Sequence, residues 1–235
     1  VAKTNVSRKE LLKEPDEFIT TSARVVQFVR EHTRQVILGV SIFLICVAAG
    51  VAYISYNQYR QNEADFHFDK AFRQYRLAVS SEDALSKEEL ENLLTQFQAV
   101  ADEYGSFLSG ERALLYTAHI LYKQEKHEEA LKRYEQLLDS SLADRGLREM
   151  IEYHIAMTRL SLKDYDGAVS LFKEMAKDTS SPYCREASAA VADIYEAMGK
   201  RKEAVLAYKQ YLKMFPQAPD AAYIRARIAD LSSQG

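Results

Sequence analysis

The sequence predicts an all-α chain: one N-terminal transmembrane helix followed by a solenoid of stacked helical hairpins. Three observations carry this. Residues 36–56 form an uncharged apolar run of 21 residues in a chain that is otherwise strongly polar. Downstream, a helix-turn-helix pattern recurs with alanines in register. Glycine (8) and proline (4) are too sparse in 235 residues to punctuate a sheet-rich fold.

As a helix, the 36–56 run spans roughly 31 Å at ~1.5 Å per residue, against about 30 Å of bilayer hydrocarbon. Ser41 and Ser55 are its only clearly polar side chains, and Tyr53, Tyr56 and Tyr59 gather at one end, as aromatic rings do at a membrane interface. A cleaved signal peptide is the competing reading. Against it, 35 residues precede the run, which also exceeds the ~7–15 residues of a signal h-region. Arg24, Arg30 and Arg34 lie just before the span, while Arg60 and Lys70 after it mix with Glu63, Asp65 and Asp69. The positive-inside rule therefore expects a cytoplasmic N-terminus and an extracytoplasmic C-terminal domain. Ala48 and Ala52 make a small-x-x-x-small pair, a weak sign of helix association.

Residues 1–35 divide into a polar stretch to residue 15 and a juxtamembrane amphipathic segment. There Phe18, Val25, Phe28 and Val29 share one side of a helix, with the arginines available to lipid headgroups or a membrane-protein partner. Residues 57–235 are mildly acidic, 24 Lys+Arg against 29 Asp+Glu, which gives no electrostatic footprint for nucleic acid. Cys46 falls in the span and Cys184 in the domain, so no disulfide within one fold is available.

The domain is expected to form hairpins over about 57–105, 109–141, 148–178 and 182–216, with a capping helix at 219–233. In the first, Phe66, Phe68, Ala71, Phe72, Tyr75 and Leu77 follow helical spacing, the S-S-E-D-A-L-S stretch is a loop, and Ser86 with Glu89 forms a capping box. The next helix carries Leu90, Leu93, Leu94, Phe97 and Val100, and Gly105 is expected to end it in the left-handed conformation. Beyond it the chain repeats. Ala118, Ala156 and Ala192 each lie twelve residues before Ala130, Ala168 and Ala204, and Tyr134, Phe172 and Tyr208 follow those by four. Small residues let two helices approach closely; the aromatic fills space against the next hairpin. Ser181-Pro182 is expected to cap and open the third unit.

These units resemble tetratricopeptide repeats. The third matches best, through Ala192, Tyr195, Gly199, Ala204, Tyr208 and Pro216. The first two depart from the pattern, with Glu125 and Lys163 in place of the inter-helix glycine and spacings of 38 and 36 residues between second alanines. The resemblance implies a concave groove that binds extended peptides or partner helices. Its positions would be Arg112, Leu115, His119, Tyr122 and Lys123 in the first unit. Tyr153, Met157 and Leu160 would follow in the second, and Glu186, Asp193 and Glu196 in the third; the competing reading leaves some of these merely solvated or covered by the capping helix.

Motifs for catalysis are missing from the sequence: no phosphate loop, dinucleotide fingerprint, G-x-S-x-G or paired C-x-x-C occurs. H-E-E-A-L at His127 has Leu131 where a second zinc ligand would stand, and His32, His67, His119 and His154 are scattered. No enzyme activity, cofactor, metal or small-molecule substrate is expected.

The order of parts also resembles bacterial inner-membrane YfgM-like proteins, an ancillary translocon-associated family. V-V-Q-F-V-R-E-H-T-R-Q-V-I-L-G-V (25–40), F-H-F-D-K-A-F-R-Q-Y (66–75) and A-D-E-Y-G (101–105) carry the likeness. It implies a non-enzymatic scaffold beside the Sec translocon, with translocon subunits, a periplasmic chaperone or exported clients as partners. The alternatives are a scaffold or regulator of another envelope complex, in outer-membrane biogenesis, cell-wall synthesis or a secretion apparatus.

Overall fold

The computed structural model describes residues 17–80 and 85–233, with side chains from residue 23 onward. The polar stretch at 1–15 and most of the loop between Ser80 and Ser86 lie outside the described residues. Every regular element among them is helical: α1 (Glu17–Glu31), α2 (Thr33–Ser80), α3 (Lys87–Tyr104), α4 (Leu108–Lys123), α5 (His127–Leu137), α6 (Arg148–Ser161), α7 (Tyr165–Met175), α8 (Cys184–Ala197), α9 (Arg201–Met214) and α10 (Ala221–Ser233). The chain divides into two compact units, Val1–Tyr59 and Arg60–Gly235.

In the first unit, α1 ends at a turn at His32, whose ring stacks on Phe28 at 4.6 Å. The Thr33 hydroxyl donates back to the carbonyls of Val29 and Arg30. Every residue from Ile37 to Tyr59 is exposed, Ile45 to 68% and Tyr53 to 71%. By length and composition this helix is long and apolar enough to cross a membrane, and among the described residues its apolar stretch is uncovered. α2 is helical without interruption through 57–62.

The second unit begins with the face of α2 that carries Ala64, Phe68 and Ala71, all buried, and the half-buried Phe72 and Tyr75. Phe66 and Leu77, expected on the same stripe, are exposed (60% and 73%), because the face runs 64-68-71-72-75 and both fall off it. Phe68 meets Phe97 of α3 and Tyr116 of α4, with ring centroids 6.0 Å apart in each case. The Ser86–Glu89 capping box forms: the Ser86 hydroxyl accepts from Glu89 N (3.2 Å) and Ser86 N donates to Glu89 Oε2 (2.8 Å). Leu90, Leu93, Leu94, Phe97 and Val100 are all buried.

The end of α3 differs from the expectation. Gly105 has φ −57°, not left-handed. Close approach explains the glycines at this corner instead: a Cβ on Gly110 would sit 1.9 Å from the Tyr104 carbonyl oxygen. Tyr104 and the start of α4 therefore pack backbone against backbone.

The three repeated hairpins, α4–α5, α6–α7 and α8–α9, share one construction. Ala118, Ala130, Ala156, Ala168, Ala192 and Ala204 are each 0% exposed, and Tyr134, Phe172 and Tyr208 are buried behind them. Each hairpin turns on one left-handed residue, Glu125 (φ 61°), Lys163 (φ 61°) and Gly199 (φ 71°). The amide after it reaches back five residues: Lys126 N to Leu121 O, Asp164 N to Arg159 O, Lys200 N to Tyr195 O, at 2.9–3.0 Å. This is the glycine-type helix stop, formed twice without glycine.

The extra residues that stretch the repeat spacing lie between hairpins. The 138–147 connection contains a turn at Ala143–Leu147 with Gly146 left-handed (φ 91°). Its carboxylate anchor comes from α4: Glu111 accepts from Ser141 N (3.0 Å) and Leu142 N (3.1 Å). In the second connection, Ser181 is not the N-cap of α8, which starts at Cys184 after Tyr183. The Ser181 hydroxyl instead accepts from Tyr183 N (3.2 Å) and donates to Glu149 Oε2 on α6 (2.7 Å). The Cys184 thiol is buried against the Ala176 carbonyl (3.4 Å).

Candidate protein-binding groove

The first helix of each hairpin, α4, α6 and α8, carries the residues expected in the groove. On α4, Arg112 and Lys123 are exposed, His119 and Tyr122 half-buried, and Leu115 is 8% exposed. The Tyr122 hydroxyl lies 3.0 Å from the Ser161 hydroxyl at the end of α6, which ties the adjacent first helices together.

His119 does the same deeper in the joint. Its Nε2 lies 3.2 Å from Nε2 of His154 on α6, so one ring donates to the other. Both rings pack on Tyr134 of α5, His154 stacked at 5.3 Å and His119 edge-on at 5.6 Å. Burial, then the neighbouring His154 and Lys123, push His119 down to about 4; burial also lowers His154. The pair is a neutral interhelix clasp, and His154 was not among the residues expected in the groove. Its signal is visible only in hindsight: His119 and His154 are 35 residues apart, nearly one repeat. Among the described residues no group of three or more His, Cys, Asp or Glu side chains is placed to hold a metal.

On α6, Tyr153 stacks on Tyr183 at 5.0 Å and meets Phe172 edge-on at 5.8 Å, while Met157 and Leu160 are half-buried against the second half of the core. On α8 the acidic residues are already engaged. Asp193 accepts from the Tyr208 hydroxyl (2.6 Å), as does Glu196 (3.1 Å). Arg227 of α10 holds Glu196 through Nε at 3.0 Å to both oxygens and through Nη2, and also reaches Asp230 (2.7 Å). That contact lowers the Glu196 carboxyl, whereas desolvation raises Asp193. Glu186 pairs with Arg185. The capping helix thus occupies part of the third unit's acidic surface.

A wide concavity lies where α2, α4 and the start of α6 converge. It measures about 580 Å³ and is walled by Phe68, Phe72, Leu115, Tyr116, Leu147 and Met150, with Arg112 and Arg145 at its rim. The volume is within the range of small-molecule and side-chain pockets. Phe68, Phe72, Leu147 and Arg145 were not singled out from the sequence as binding residues, since α2 and the 143–147 turn fall outside the repeat pattern; Met150, in the first turn of α6, was not among the expected groove positions either.

The tetratricopeptide repeat-like domain profile matches residues 27–233. The chain belongs to that family. No curated protein matches it in sequence. Among solved structures, the repeats are similar to a single-site variant of a Podosopora anserina putative kinesin light chain with nearly identical TPR-like repeats. The TM-score is 0.54 at 15% identity, over 74% of this chain and 88% of that one. The parent form of that protein matches alike, with TM-score 0.54 and 14% identity over 74% and 89%. The MamA RS-1 ArsTM double mutant follows at TM-score 0.49 and 13% identity, over 73% and 95%. At such identities the likeness concerns the fold alone. Tetratricopeptide-type repeats are protein-interaction scaffolds, built to present one helix per hairpin to a partner.

Proposed function

We propose that this chain is a membrane-anchored capture scaffold of the bacterial inner membrane, with its repeats in the periplasm beside the Sec translocon. The observation that carries the reading is one chain holding both a bare apolar stretch, exposed at every residue from Ile37 to Tyr59, and a partner-binding repeat array. Among the described residues no side chain covers that stretch, and lipid is the solvent that suits it. Arg24, Arg30 and Arg34 before it favour a cytoplasmic N-terminus. The translocon placement rests on the YfgM-like resemblance of segments 25–40, 66–75 and 101–105. In this role the array offers a groove to exported clients or a periplasmic chaperone and performs no chemistry.

In-cell crosslinking of tagged full-length chain, followed by purification in mild detergent, tests it. Translocon subunits recovered together with a periplasmic chaperone are the expected result. Recovery of another envelope complex without the translocon would reassign the scaffold to that machine.

A further inference from the structure

The pocket between α2, α4 and α6 has a chemistry that selects its occupant. Its walls are aromatic and aliphatic, and its rim is cationic through Arg112 and Arg145. Neither arginine forms an ion pair among the described residues. The carboxylates beside them in sequence are committed elsewhere: Glu111 binds the backbone at Ser141 and Leu142, and Asp144 faces Arg148 at 4.0 Å. Glu149, next to the wall residue Met150, accepts from Ser181. Leu108 at the start of α4, and Leu147 and Met150 at the start of α6, also line the pocket, so the first turns of both helices border it. Apolar walls, two uncompensated guanidinium groups and two helix starts make a site complementary to apolar side chains flanked by carboxylates.

We infer that this pocket docks an acidic amphipathic segment of a partner protein, its apolar side chains seated on Phe68, Phe72, Leu115 and Met150 and its Asp or Glu side chains at Arg112 and Arg145. The inference rests on the scaffold reading and narrows it: the site lies at the α2 end of the array, not beside α8, where Arg227 already fills the acidic surface. Arginine is suited to the task because its planar fork binds carboxylates bidentately. The mode is a helix laid into a groove, with apolar anchors on one face and charges at the edge.

The test uses full-length chain in nanodiscs and three fluorescent synthetic peptides of about 15 residues, long enough for a helix to form on the surface. One is built of Leu and Phe on one face and Glu on the other. The second replaces Glu with Lys, the third replaces Leu and Phe with Ser. Anisotropy, corrected against empty nanodiscs, should show binding of the first peptide alone, weakened by added salt. Arg112→Glu with Arg145→Glu should reduce that affinity at least about tenfold and transfer preference to the Lys peptide, a change of about 1.4 kcal/mol or more. Both arginines are exposed, and an unchanged melting temperature checks that the variant is folded. Equal binding of the Glu peptide to parent and variant, or no binding to the parent, overturns the inference. So does sedimentation showing that the parent self-associates and the variant does not, since a second copy would then be the occupant. Photoreactive residues at Met150 and Tyr153 separate the two levels in cells. Crosslinks from Tyr153 without any from Met150 overturn this pocket and leave the scaffold; none from either overturns both.

Discussion

The three turns inside the hairpins impose one backbone demand on three different residues. Gly199 meets it freely, while Glu125 and Lys163 hold φ of 61° against the steric preference of an L residue. That conformation costs roughly 1–2 kcal/mol for a residue with a Cβ, and glycine forfeits about 0.5–1 kcal/mol of unfolded-chain entropy in exchange. Glu125→Gly and Lys163→Gly should each therefore raise stability by up to about 1 kcal/mol, and Gly199→Ala should lower it by about 1 kcal/mol, read from urea midpoints. The buried alanines work in the opposite sense. Ala204 has no exposed surface, so Ala204→Leu should overpack the α8–α9 contact and destabilise it by roughly 1–3 kcal/mol. An unchanged midpoint would mean that the helices do not meet there. The His119–His154 clasp sets a pH dependence at the same scale. His119 is held near 4 in the fold against an unfolded value of 6.5, so the unfolded chain binds more protons between those values. The clasp's contribution is present above about pH 6.5 and fades as pH falls toward 4; protonating both rings would also set two donors 3.2 Å apart. At most the loss is on the order of 3 kcal/mol, since each tenfold change in proton affinity is worth about 1.4 kcal/mol. Tyr116 and Tyr134 also face the pair, and burial raises both phenols further from that window, while Lys123 is the charged neighbour. His119→Gln should flatten stability against pH between 6.5 and 4 relative to the parent; parallel curves would place the acid sensitivity elsewhere.

Among the elements, α10 is held by a short apolar face and by one polar grip. Ala221, Ile224 and Leu231 are its buried residues, and Arg227 supplies the grip on Glu196. Arg227→Ala should speed amide exchange selectively in α10 and free Glu196 and Asp193 toward solvent, with α4–α7 unaffected. Because the Glu196 carboxyl is lowered by Arg227, this latch is intact above the ordinary carboxylate range and weakens as pH falls below it. The elements also show what sequence could disclose. The alanine register and the Ser86–Glu89 box were legible because each is a local spacing rule with a packing cause. Gly105 was misread because a glycine after a helix has two uses. The left-handed stop is legible in sequence, whereas the close approach that Gly110 makes to Tyr104 is a tertiary fact. The pocket at Phe68 and Met150 was illegible for a related reason: α2 and the 143–147 turn lie outside the repeated pattern, and only the tertiary fold brings them beside residues of α4 and α6. Glu196 looked like a groove residue because its register allows it, and only the position of Arg227 reveals that it is occupied.

For the whole molecule, the anchored scaffold we propose makes the apolar stretch decide which proteins the array can meet. The topology we propose depends on a thin margin: three arginines before the span against Arg60 and Lys70 after it, the latter among acidic residues. Acidic residues contribute little to orientation, so the count of basic ones is what matters. Protease added to spheroplasts should remove a C-terminal tag from the parent chain and leave an N-terminal tag protected. Replacing Arg30 and Arg34 with Gln leaves only Arg24 near the cytoplasmic end and reverses the count. A fraction of the chains should then protect the C-terminal tag, and translocon crosslinks should fall in the same proportion, because inverted arrays cannot reach exported clients. If the tag stays fully accessible while the crosslinks persist, orientation is set by the length of the following domain and not by the arginines, and the anchor reading stands on the apolar run alone. If the parent's C-terminal tag is protected, the repeats face the cytoplasm, and the partner must be sought there.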